Sequence, residues 1–419
     1  MLPRVRPSDW TCFDAGAGEL GALVRAWPAC GNGRRATVAV LPAEFNSQAA
    51  ATLAEAVHHA LRTGGRAVLV HQGAGGASLL RVLQLEQPSL TCLAIEVSPS
   101  RQAMAAAHAL ASAPPAGVCE AMIDRSGRVR LPAWSVAALP SGRPPLASGD
   151  RVVITGGLGG LGFQVARMLV RRFGVHPVLV DCAEPAADQL ESARTGGLGY
   201  TCLRTDVTDA EAVAGALRPV GPVTALLHCA GVLDATPTQS LSAAALQRHL
   251  SPKVLGLRSI VEAMDLSRLR VVLAFGSMVA RFPHRSMAAY ALANELLRRE
   301  VDRYAGQVRG VRWLTAEWSL WDGAGMAAEM GAVEAGRRMG IVPIPLREGL
   351  RAVECLLAWS RRPSSALVGM AFPQLQTRAW PARSAGRDLR PGGSEQPVSS
   401  TWPDRPSRVT GSGDHRAGR

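Results

Sequence analysis

Two side chains in the second half of the chain could act together on a proton. Tyr290 carries a phenol, and Lys253, the only lysine in the 419 residues, carries an ammonium group. A free phenol with a pKa of about 10 is a slow acid or base at neutral pH, but a nearby cation stabilises the phenolate. A compact ammonium is not interchangeable with a guanidinium at such a tuned position. We therefore predict that Lys253 activates Tyr290, the alternative being a surface lysine retained by chance.

Two further polar residues lie close to Tyr290 along the chain. Ser277 ends an apolar run, where its hydroxyl could hydrogen-bond a reacting oxygen or cap a turn. Its position shortly before Tyr290 favours the first role. Asn294 follows Tyr290 by four residues and so lies on the same face of a helix. Together these residues predict a proton-transfer site at a strand end and on one helix.

A glycine-rich stretch follows the apolar run that begins at Arg151, and a helix-like segment comes next. The stretch reads Thr155-Gly156-Gly157-Leu158-Gly159-Gly160-Leu161-Gly162. Glycine lets a pyrophosphate approach the main chain, and the helix N-terminus offers free N–H groups and a positive dipole end. This order therefore predicts a dinucleotide site. Gly73, Gly75 and Gly76 form a similar patch, which we interpret as a turn.

Strands alternate with helices from about Arg151 onward, which predicts a doubly wound parallel sheet of Rossmann type. After the first strand we expect strands at 177–181, 200–207, 223–231, 270–277 and 313–319, and helices at 163–172, 209–218, 242–264 and 288–304. Ligands of such sheets bind beyond the carboxyl ends of the strands. The residues at those ends are Thr155, Asp181, Asp206, Gly231 and Ser277.

The chain before and after this unit differs in composition. Residues 1–147 predict a first α/β unit, with strands at 36–41, 67–71 and 90–97, helices at 47–62 and 76–84, and an edge hairpin at 127–132. A linker rich in proline and glycine at 138–145 precedes the second unit, which we bound at 148–372. Arginine, proline, glycine and serine dominate 373–419, which predicts a disordered tail.

Composition excludes several classes of protein. The net charge of +13 comes almost wholly from arginines spread along the chain, without a nucleic-acid-binding signature, so no nucleic acid is predicted as a partner. An acidic protein partner and a drift of composition towards arginine explain this charge equally well. The eight cysteines form no CxxC pair, so no metal site is predicted. Without a long apolar run or a signal core, the chain is predicted to be cytoplasmic, without membrane contact.

Six motifs, in order, resemble those of the ketoreductase domains of polyketide synthases, which belong to the short-chain dehydrogenase/reductase superfamily. They are the glycine turn 155–162, Asp206-Val207, the stretch 228–232 with Ala230-Gly231, Ser277, the stretch 290–294 and the stretch 317–321. The resemblance covers most of the chain. It implies that 148–372 is the catalytic domain and that 1–147 is the truncated, cofactor-free Rossmann-like subdomain that precedes such domains.

The resemblance implies hydride transfer from a nicotinamide cofactor to a ketone. Tyr290 would protonate the carbonyl oxygen, Ser277 would hydrogen-bond it, and Lys253 would tune Tyr290 and contact the ribose. Asn294 would hold the proton relay with the lysine, in the exchanged arrangement typical of the polyketide and fatty-acid synthase branch. Asp206 would hydrogen-bond the adenine amine. The cofactor-binding residues implied are Thr155, Gly156, Gly157, Leu158, Gly159, Gly160, Leu161, Gly162, Asp181, Asp206, Val207, Ala230 and Gly231.

The choice between NADPH and NADH stays open. The resemblance implies NADPH, whose 2′-phosphate an arginine after the second strand would bind. The stretch 180–184 has no arginine. Its Asp181 would accept hydrogen bonds from a free ribose diol and repel a phosphate, which favours NADH.

The implied substrate is a β-ketoacyl thioester on the phosphopantetheine arm of an acyl carrier protein, reduced to the β-hydroxyacyl thioester in polyketide (for example antibiotic) biosynthesis. Other synthase components would be further partners. A stand-alone short-chain dehydrogenase acting on a free ketone and a catalytically silent scaffold remain alternatives. We expect Trp318 and Trp321 to pack near the nicotinamide pocket, and 322–345 resembles the mobile lid that closes over substrate.

Overall fold

Two parallel sheets organise the protein in the computed structural model. The structure describes residues 10–28, 35–115, 119–133, 142–187, 189, 191, 199–329, 331–359 and 364–370. The predicted tail at 373–419 and the first part of the predicted linker, 138–141, lie outside these residues. The predicted division at 147/148 falls between the last strand of one sheet and the first strand of the other, and it stays a prediction.

The first sheet has six strands whose spatial order is the chain order. They are β1 Trp10–Asp14, β2 Ala36–Leu41, β3 Arg66–His71, β4 Thr91–Val97, β5 Glu120–Ile123 and β6 Val129–Arg130. All pairs are parallel except β5 with β6, an edge hairpin whose second strand lies within the predicted 127–132 while its first strand precedes those bounds. β2 and β3 are buried along their whole length, as expected of parallel strands covered on both faces. Among the residues that the structure describes, the strand order of this sheet does not reverse.

Four helices cover the first sheet on its two faces. They are α1 Glu19–Arg25, α2 Ser47–Thr63, α3 Ala77–Glu86 and α4 Arg101–Ser112. α2 and α3 share a core with one face of the strands, and α1 and α4 share a core with the other. The predicted helices and strands of this unit are confirmed to within a few residues, while β1, α1 and α4 were not predicted.

The second sheet is the predicted doubly wound parallel sheet of Rossmann type. Its strands are β7 Arg151–Thr155, β8 His176–Asp181, β9 Thr201–Arg204, β10 Ala225–His228, β11 Val271–Ser277, β12 Arg312–Trp318 and, after a separate pair β13 Trp321–Asp322 and β14 Ile344–Pro345, β15 Ser365–Val368. The spatial order is β15-β12-β11-β10-β7-β8-β9, and all pairs are parallel. The order reverses between β7 and β10, and such a reversal opens a crevice at the carboxyl ends of the strands.

Helices lie on both faces of the second sheet. They are α5 Gly160–Phe173, α6 Ala210–Leu217, α7 Ala243–Leu250, α8 Gly256–Glu262, α9 Ala288–Gln307, α10 Met326–Glu329, α11 Ala332–Arg338 and α12 Leu346–Leu357. α5 and α12 pack on one face, and α6, α8 and α9 pack on the other. No helix among the described residues is both long and apolar enough to cross a membrane.

Three elements of the second unit differ clearly from the predicted ones. β10 covers 225–228 rather than 223–231, so Gly231 lies in the loop beyond it. β9 is shorter than predicted, so Asp206 lies in the loop beyond it. The single helix expected over 242–264 is divided into α7, a π-helical turn Ser251–Leu255, and α8. Pro252 in this turn has no N–H to donate, which explains the widened turn. The turn carries Lys253.

Helix α9 belongs to the cores of both sheets. Its Leu297, Val301 and Tyr304 pack beneath the second sheet. Its Ala289, Leu292 and other small or aliphatic side chains pack against α2, α3 and α7. A helix buried on opposite sides by two cores has little freedom to shift, and this helix carries Tyr290 and Asn294.

Candidate active site

A cleft of about 2330 Å³ lies at the carboxyl ends of the second sheet. Predicted site residues that line it include Gly156, Asp181, Lys253, Ser277 and Tyr290. Three predicted residues, Thr155, Gly157 and Asn294, are buried and do not line the cleft. The first sheet contributes to the cleft as well, through side chains that include Arg81, Gln84, Leu90 and Pro132.

The glycine turn between β7 and α5 is closely packed from behind. Gly156 has a φ of 62°, which favours glycine, and a Cβ atom there would lie 3.0 Å from the nitrogen of Ala230. A Cβ atom on Gly157 would lie 2.7 Å from the oxygen of Ile154 and 2.9 Å from Cβ of Leu179. The turn can therefore be built only with glycines at these positions.

The N-terminus of α5 faces the cleft without a side-chain cap among the described residues. Gly159, Gly160, Leu161 and Gly162 at this end all line the cleft. A helix N-terminus with free N–H groups is suited to bind a pyrophosphate. The glycine turn and this helix end thus fit the phosphates of a dinucleotide.

Asp181, at the end of β8, holds the glycine turn in place. Its carboxylate accepts hydrogen bonds from the N–H of Leu158 (3.0 Å) and of Ala183 (3.2 Å). Leu158 forms part of the cleft wall together with Asp181 itself. Asp181 therefore has a structural role that the sequence did not indicate, beside its predicted position at the cofactor ribose.

The remaining predicted cofactor residues come together at the ends of β9 and β10. Asp206 accepts hydrogen bonds from the N–H (2.9 Å) and hydroxyl (2.8 Å) of Thr208, and it lines the cleft with Val207, Ala230 and Gly231. A Cβ atom on Gly231 would lie 3.0 Å from Cε and 3.2 Å from Nζ of Lys253, so the ammonium end of Lys253 packs closely against this glycine. The structure thus brings this set to one wall of the cleft.

Lys253 is 2% exposed, and its Nζ donates a hydrogen bond to the main-chain oxygen of Phe275 (3.0 Å). The Nζ atom lies 5.8 Å from the centre of the Tyr290 ring. Burial lowers the pKa of Lys253 to about 8, because the charged form loses solvation. The only ammonium side chain of the protein therefore lies beside the phenol, as predicted.

Tyr290 is 8% exposed, and the pKa of its phenol is raised. Burial is the largest cause and raises the pKa, whereas hydrogen bonding with Asn294 and Ser277 lowers it. The net shift of this pKa is therefore upward, opposite to the lowering that a nearby cation would produce. A raised pKa keeps the phenol protonated at neutral pH, which suits a proton donor.

Ser277 and Asn294 flank Tyr290 from β11 and α9. Ser277 begins a 3₁₀ turn, Met278–Ala280, and its Oγ accepts a hydrogen bond from Val279 N–H (3.4 Å). It therefore caps a turn and also interacts with the phenol, while its hydrogen bond to a reacting oxygen stays a prediction. The Nδ2 atom of Asn294 donates to the main-chain oxygen of Tyr290 (2.8 Å), while its buried Oδ1 has no partner among the described residues.

A buried histidine that the sequence analysis did not single out links the two halves of the site. Nδ1 of His228 lies 2.8 Å from Oγ1 of Thr155, and its Nε2 lies 2.9 Å from the main-chain oxygen of Lys253. Burial, followed by the charge of Lys253, lowers the pKa of His228 to about 3, so it is neutral. His228 thereby ties the glycine turn to the π-helical turn, and only its burial at a strand end could have signalled this.

Glu317 is a second residue whose role was not predicted. It is fully buried in β12, and its carboxylate accepts hydrogen bonds from Nε of Arg281 (2.9 and 3.1 Å). Arg281 follows the 3₁₀ turn after Ser277. The ion pair thus fixes the loop that leaves the serine.

Trp318, Trp321 and the segment 322–345 all contribute to the lining of the cleft. Trp318 packs against Phe275 (5.5 Å between ring centres) and Trp321 (4.9 Å), and all three line the cleft. Residues 322–345 form α10 and α11 between β13 and β14, and Met326 and Met339 face the cleft. The role of this segment as a lid over substrate stays a prediction.

The second sheet, with a cleft at its strand-order reversal, defines a Rossmann-type α/β fold. Residues 151–323 match the family model described as the KR domain, which confirms the resemblance to polyketide synthase ketoreductase domains. This match contains every predicted site residue.

The curated relatives that this chain resembles in sequence are much longer proteins. Polyketide synthase GfsA of Streptomyces halstedii is 35% identical over 182 residues, covering 42% of this chain and 2% of GfsA. Polyketide synthase GfsB of the same organism is 30% identical over 344 residues, covering 76% of this chain and 6% of GfsB. This chain therefore spans only a small part of the curated relatives that it matches.

A similar solved structure is PlmKR1, the ketoreductase from the first module of phoslactomycin biosynthesis in Streptomyces sp. HK803. It is 23% identical with a TM-score of 0.74, covering 90% of this chain and 93% of PlmKR1. Coverage this large includes both sheets. At this identity the likeness shows the shared fold.

Proposed function

We propose that this protein reduces the β-keto group of a β-ketoacyl thioester to the β-hydroxyacyl thioester, with a reduced nicotinamide cofactor, in polyketide biosynthesis. The observation that carries this proposal is the position of the buried Tyr290. The centre of its ring lies 5.8 Å from Nζ of Lys253, the only lysine, and it lines the same cleft as the glycine turn. The KR-domain match over the same residues supports it.

A bound reduced nicotinamide would supply the hydride. The residues that would hold it are the glycine turn and α5 N-terminus for the phosphates, Asp181 and Asp206 for the adenosine half, and Lys253 for the ribose. Both NADPH and NADH remain candidates, since the family favours the first and the carboxylate of Asp181 the second.

The protein's own residues then handle the proton. As the carbonyl oxygen gains negative charge, Ser277 hydrogen-bonds it and the phenol of Tyr290 donates its proton. The neighbouring ammonium of Lys253 stabilises the phenolate that remains. Asn294 holds the main chain at Tyr290 through its 2.8 Å hydrogen bond and leaves a buried Oδ1 free to accept a relay donor. Trp318, Trp321 and the segment 322–345 would exclude water.

The proposed substrate is presented by an acyl carrier protein, with other synthase components as further partners. Incubation with β-ketoacyl carrier protein and each cofactor, followed by chiral analysis of the hydroxyacyl product, tests this. An equal rate with a simple thioester mimic would favour a stand-alone dehydrogenase. Failure to bind either reduced cofactor would favour a silent scaffold.

A further inference from the structure

The first sheet has its own glycine turn, and a carboxylate from helix α9 fills it. Glu295, the residue after Asn294, is 3% exposed. Its two carboxylate oxygens accept hydrogen bonds from the N–H of Gly76 (3.1 Å) and of Ser78 (2.8 Å), at the N-terminus of α3. The helix end of the first sheet thus binds an anion that the chain itself supplies.

This glycine turn is shaped around the carboxylate. Gly75 has a φ of 75°, and a Cβ atom there would lie 2.8 Å from both Nε of Arg299 and Cδ2 of Leu296 and 2.9 Å from Oε1 of Glu295. The N–H groups of Gly73 (3.2 Å) and Gly75 (3.3 Å) donate hydrogen bonds to Nδ1 of the buried His71. Burial, followed by the charge of Arg299, lowers the pKa of His71 to about 4. Four N–H groups of the turn and helix start are therefore already bonded within the protein.

Arg299 holds the carboxylate in its charged form. Its Nε lies 3.3 Å from Oε1 of Glu295, and its Nη1 binds Glu96 (2.8 Å) and the oxygen of Gly73 (3.3 Å). Burial raises the pKa of Glu295, but the charges of Arg299 and Arg81 and the hydrogen bonds from Ser78 outweigh it and hold that pKa well below its usual range. The contact is consequently present throughout the neutral range of pH.

The other end of α3 holds the chain just before Tyr290. Glu86, the last residue of α3, accepts hydrogen bonds from the N–H (2.8 Å) and hydroxyl (2.6 Å) of Thr238 and from the N–H of Ser286. Ser286 has a φ of 63°, the only positive value at a non-glycine residue in the described chain. A strained residue of this kind persists only where its surroundings fix it, and Glu86 supplies that restraint.

We propose that α3 is a brace for the segment 286–295, and that Glu295 and Glu86 are positioning residues for Tyr290. Tyr290 lies between the two points that these carboxylates hold. It is four residues after Ser286, which Glu86 binds, and five residues before Glu295. The first sheet would thus act through the glycine turn that binds Glu295, and this contact would fix the position of helix α9 relative to Ser277 and Lys253. This inference rests on the proposed function.

The test compares Glu295→Gln with Glu300→Gln. Glu300 is a second buried carboxylate of α9, bound by Arg258 (2.8 and 2.9 Å) and Arg303 rather than by α3. In Glu295→Gln an amide –NH₂ would face the N–H donors of the turn. We expect kcat per bound NADPH or NADH to fall about tenfold, with KM and cofactor affinity within about twofold, because a small misplacement of Tyr290 affects only the chemical step.

The solvent isotope effect on kcat gives a readout that a purely structural role would not move. It should rise in Glu295→Gln, because proton transfer from a misplaced phenol becomes rate-limiting, and stay unchanged in Glu300→Gln. Equal losses in the two variants, or a loss that disappears when rates are normalised to bound cofactor, would overturn the brace.

Glu86→Gln provides a second route if Glu295→Gln does not fold. We expect about a threefold lower kcat with unchanged cofactor affinity, and wild-type kcat in this variant would overturn the proposal. If the wild-type protein reduces no β-ketoacyl thioester, the proposed function fails. Amide hydrogen exchange over 286–295 then decides on the brace alone: exchange faster in Glu86→Gln than in Glu300→Gln supports it, and equal exchange overturns it.

Discussion

Two glycine turns lead from a parallel strand into a helix in this protein, and only one of them opens on the cleft. The turn after β7 lies where the strand order of its sheet reverses, and the N-terminus of α5 has no side-chain cap among the described residues. The turn after β3 lies in a sheet without a reversal, and Glu295 occupies the N-terminus of α3. The same local pattern thus serves binding in one sheet and internal packing in the other.

The two regions also differ in how they compensate a buried charge. Glu295 has Arg299 beside it and N–H donors around it, and it stays ionised. Lys253 is as deeply buried, but it has one hydrogen bond to a main-chain oxygen and no ion pair among the described residues. Its pKa is lowered accordingly. A charge held without a partner costs stability, which is common where a residue serves chemistry rather than folding.

The largest effect should come from removing the proton donor of the second sheet. Tyr290→Phe is expected to lower kcat by about 10³-fold, the usual contribution of a general acid, without weakening cofactor binding. Tyr304→Phe is the matched control, since Tyr304 is buried in the same helix but stacks on Trp313 (4.9 Å) away from the cleft. Steady-state rates and cofactor titrations measure both. Substantial turnover by Tyr290→Phe would refute the assignment.

Lys253→Met tests whether the unpaired charge of Lys253 destabilises the protein, in contrast to the paired charge of Glu295. The measured quantity is the pH dependence of the free energy of unfolding. Because burial lowers the pKa of Lys253 from 10.5 to about 8, the unfolded chain binds more protons between these values, and wild-type stability rises with pH across that window. The variant lacks this gain. It should therefore be inactive but more stable at pH 7, with the difference shrinking by about 3 kcal/mol towards pH 10.5.

Denaturant unfolding of wild type and Lys253→Met at pH 7, 8, 9 and 10 measures this difference, and groups common to both proteins cancel. A difference that does not change with pH would mean that Lys253 is neither desolvated nor lowered in pKa.

Alanine substitutions in the two glycine turns test directly whether only the turn after β7 binds cofactor. Gly157→Ala places a Cβ atom against Ile154 and Leu179, so we expect the displaced turn to bind reduced cofactor about tenfold more weakly. Gly75→Ala places one against Glu295 and should leave cofactor affinity within about twofold, while lowering the melting temperature. Cofactor titration and thermal unfolding distinguish them. Equal loss of cofactor affinity in both would contradict the assignment of the site to one turn.

The smallest effect concerns the choice of cofactor. Asp181→Asn removes a negative charge at the proposed ribose site and should raise the NADPH/NADH ratio of kcat/KM about fivefold, since a screened charge pair near 4 Å is worth about 1 kcal/mol. Glu184→Gln, an exposed carboxylate paired with Arg204 (2.6 Å), is the control. A large NADPH preference in the wild-type protein would contradict the role given to Asp181.

Most of the second sheet and its site could be predicted because their signals are local. Strands β7, β8 and β11 are apolar runs that end in functional residues, and their bounds agree with the prediction to within one residue. Tyr290 and Asn294 meet because four residues make about one helical turn. The break in the helix at Pro252 had a local signal that we did not use.

What the sequence by itself determined is the order of strands, glycine turns and helices, together with the side chains available for chemistry. Only the tertiary structure decided which glycine turn faces a cleft, because that depends on strand order and on the carboxylate of Glu295, which lies about 220 residues away along the chain. It also decided the pKa of Tyr290, since burial by both sheets outweighs the hydrogen bonds that favour the phenolate. Contacts between residues distant in the chain have no periodic pattern, and so no single segment encodes them.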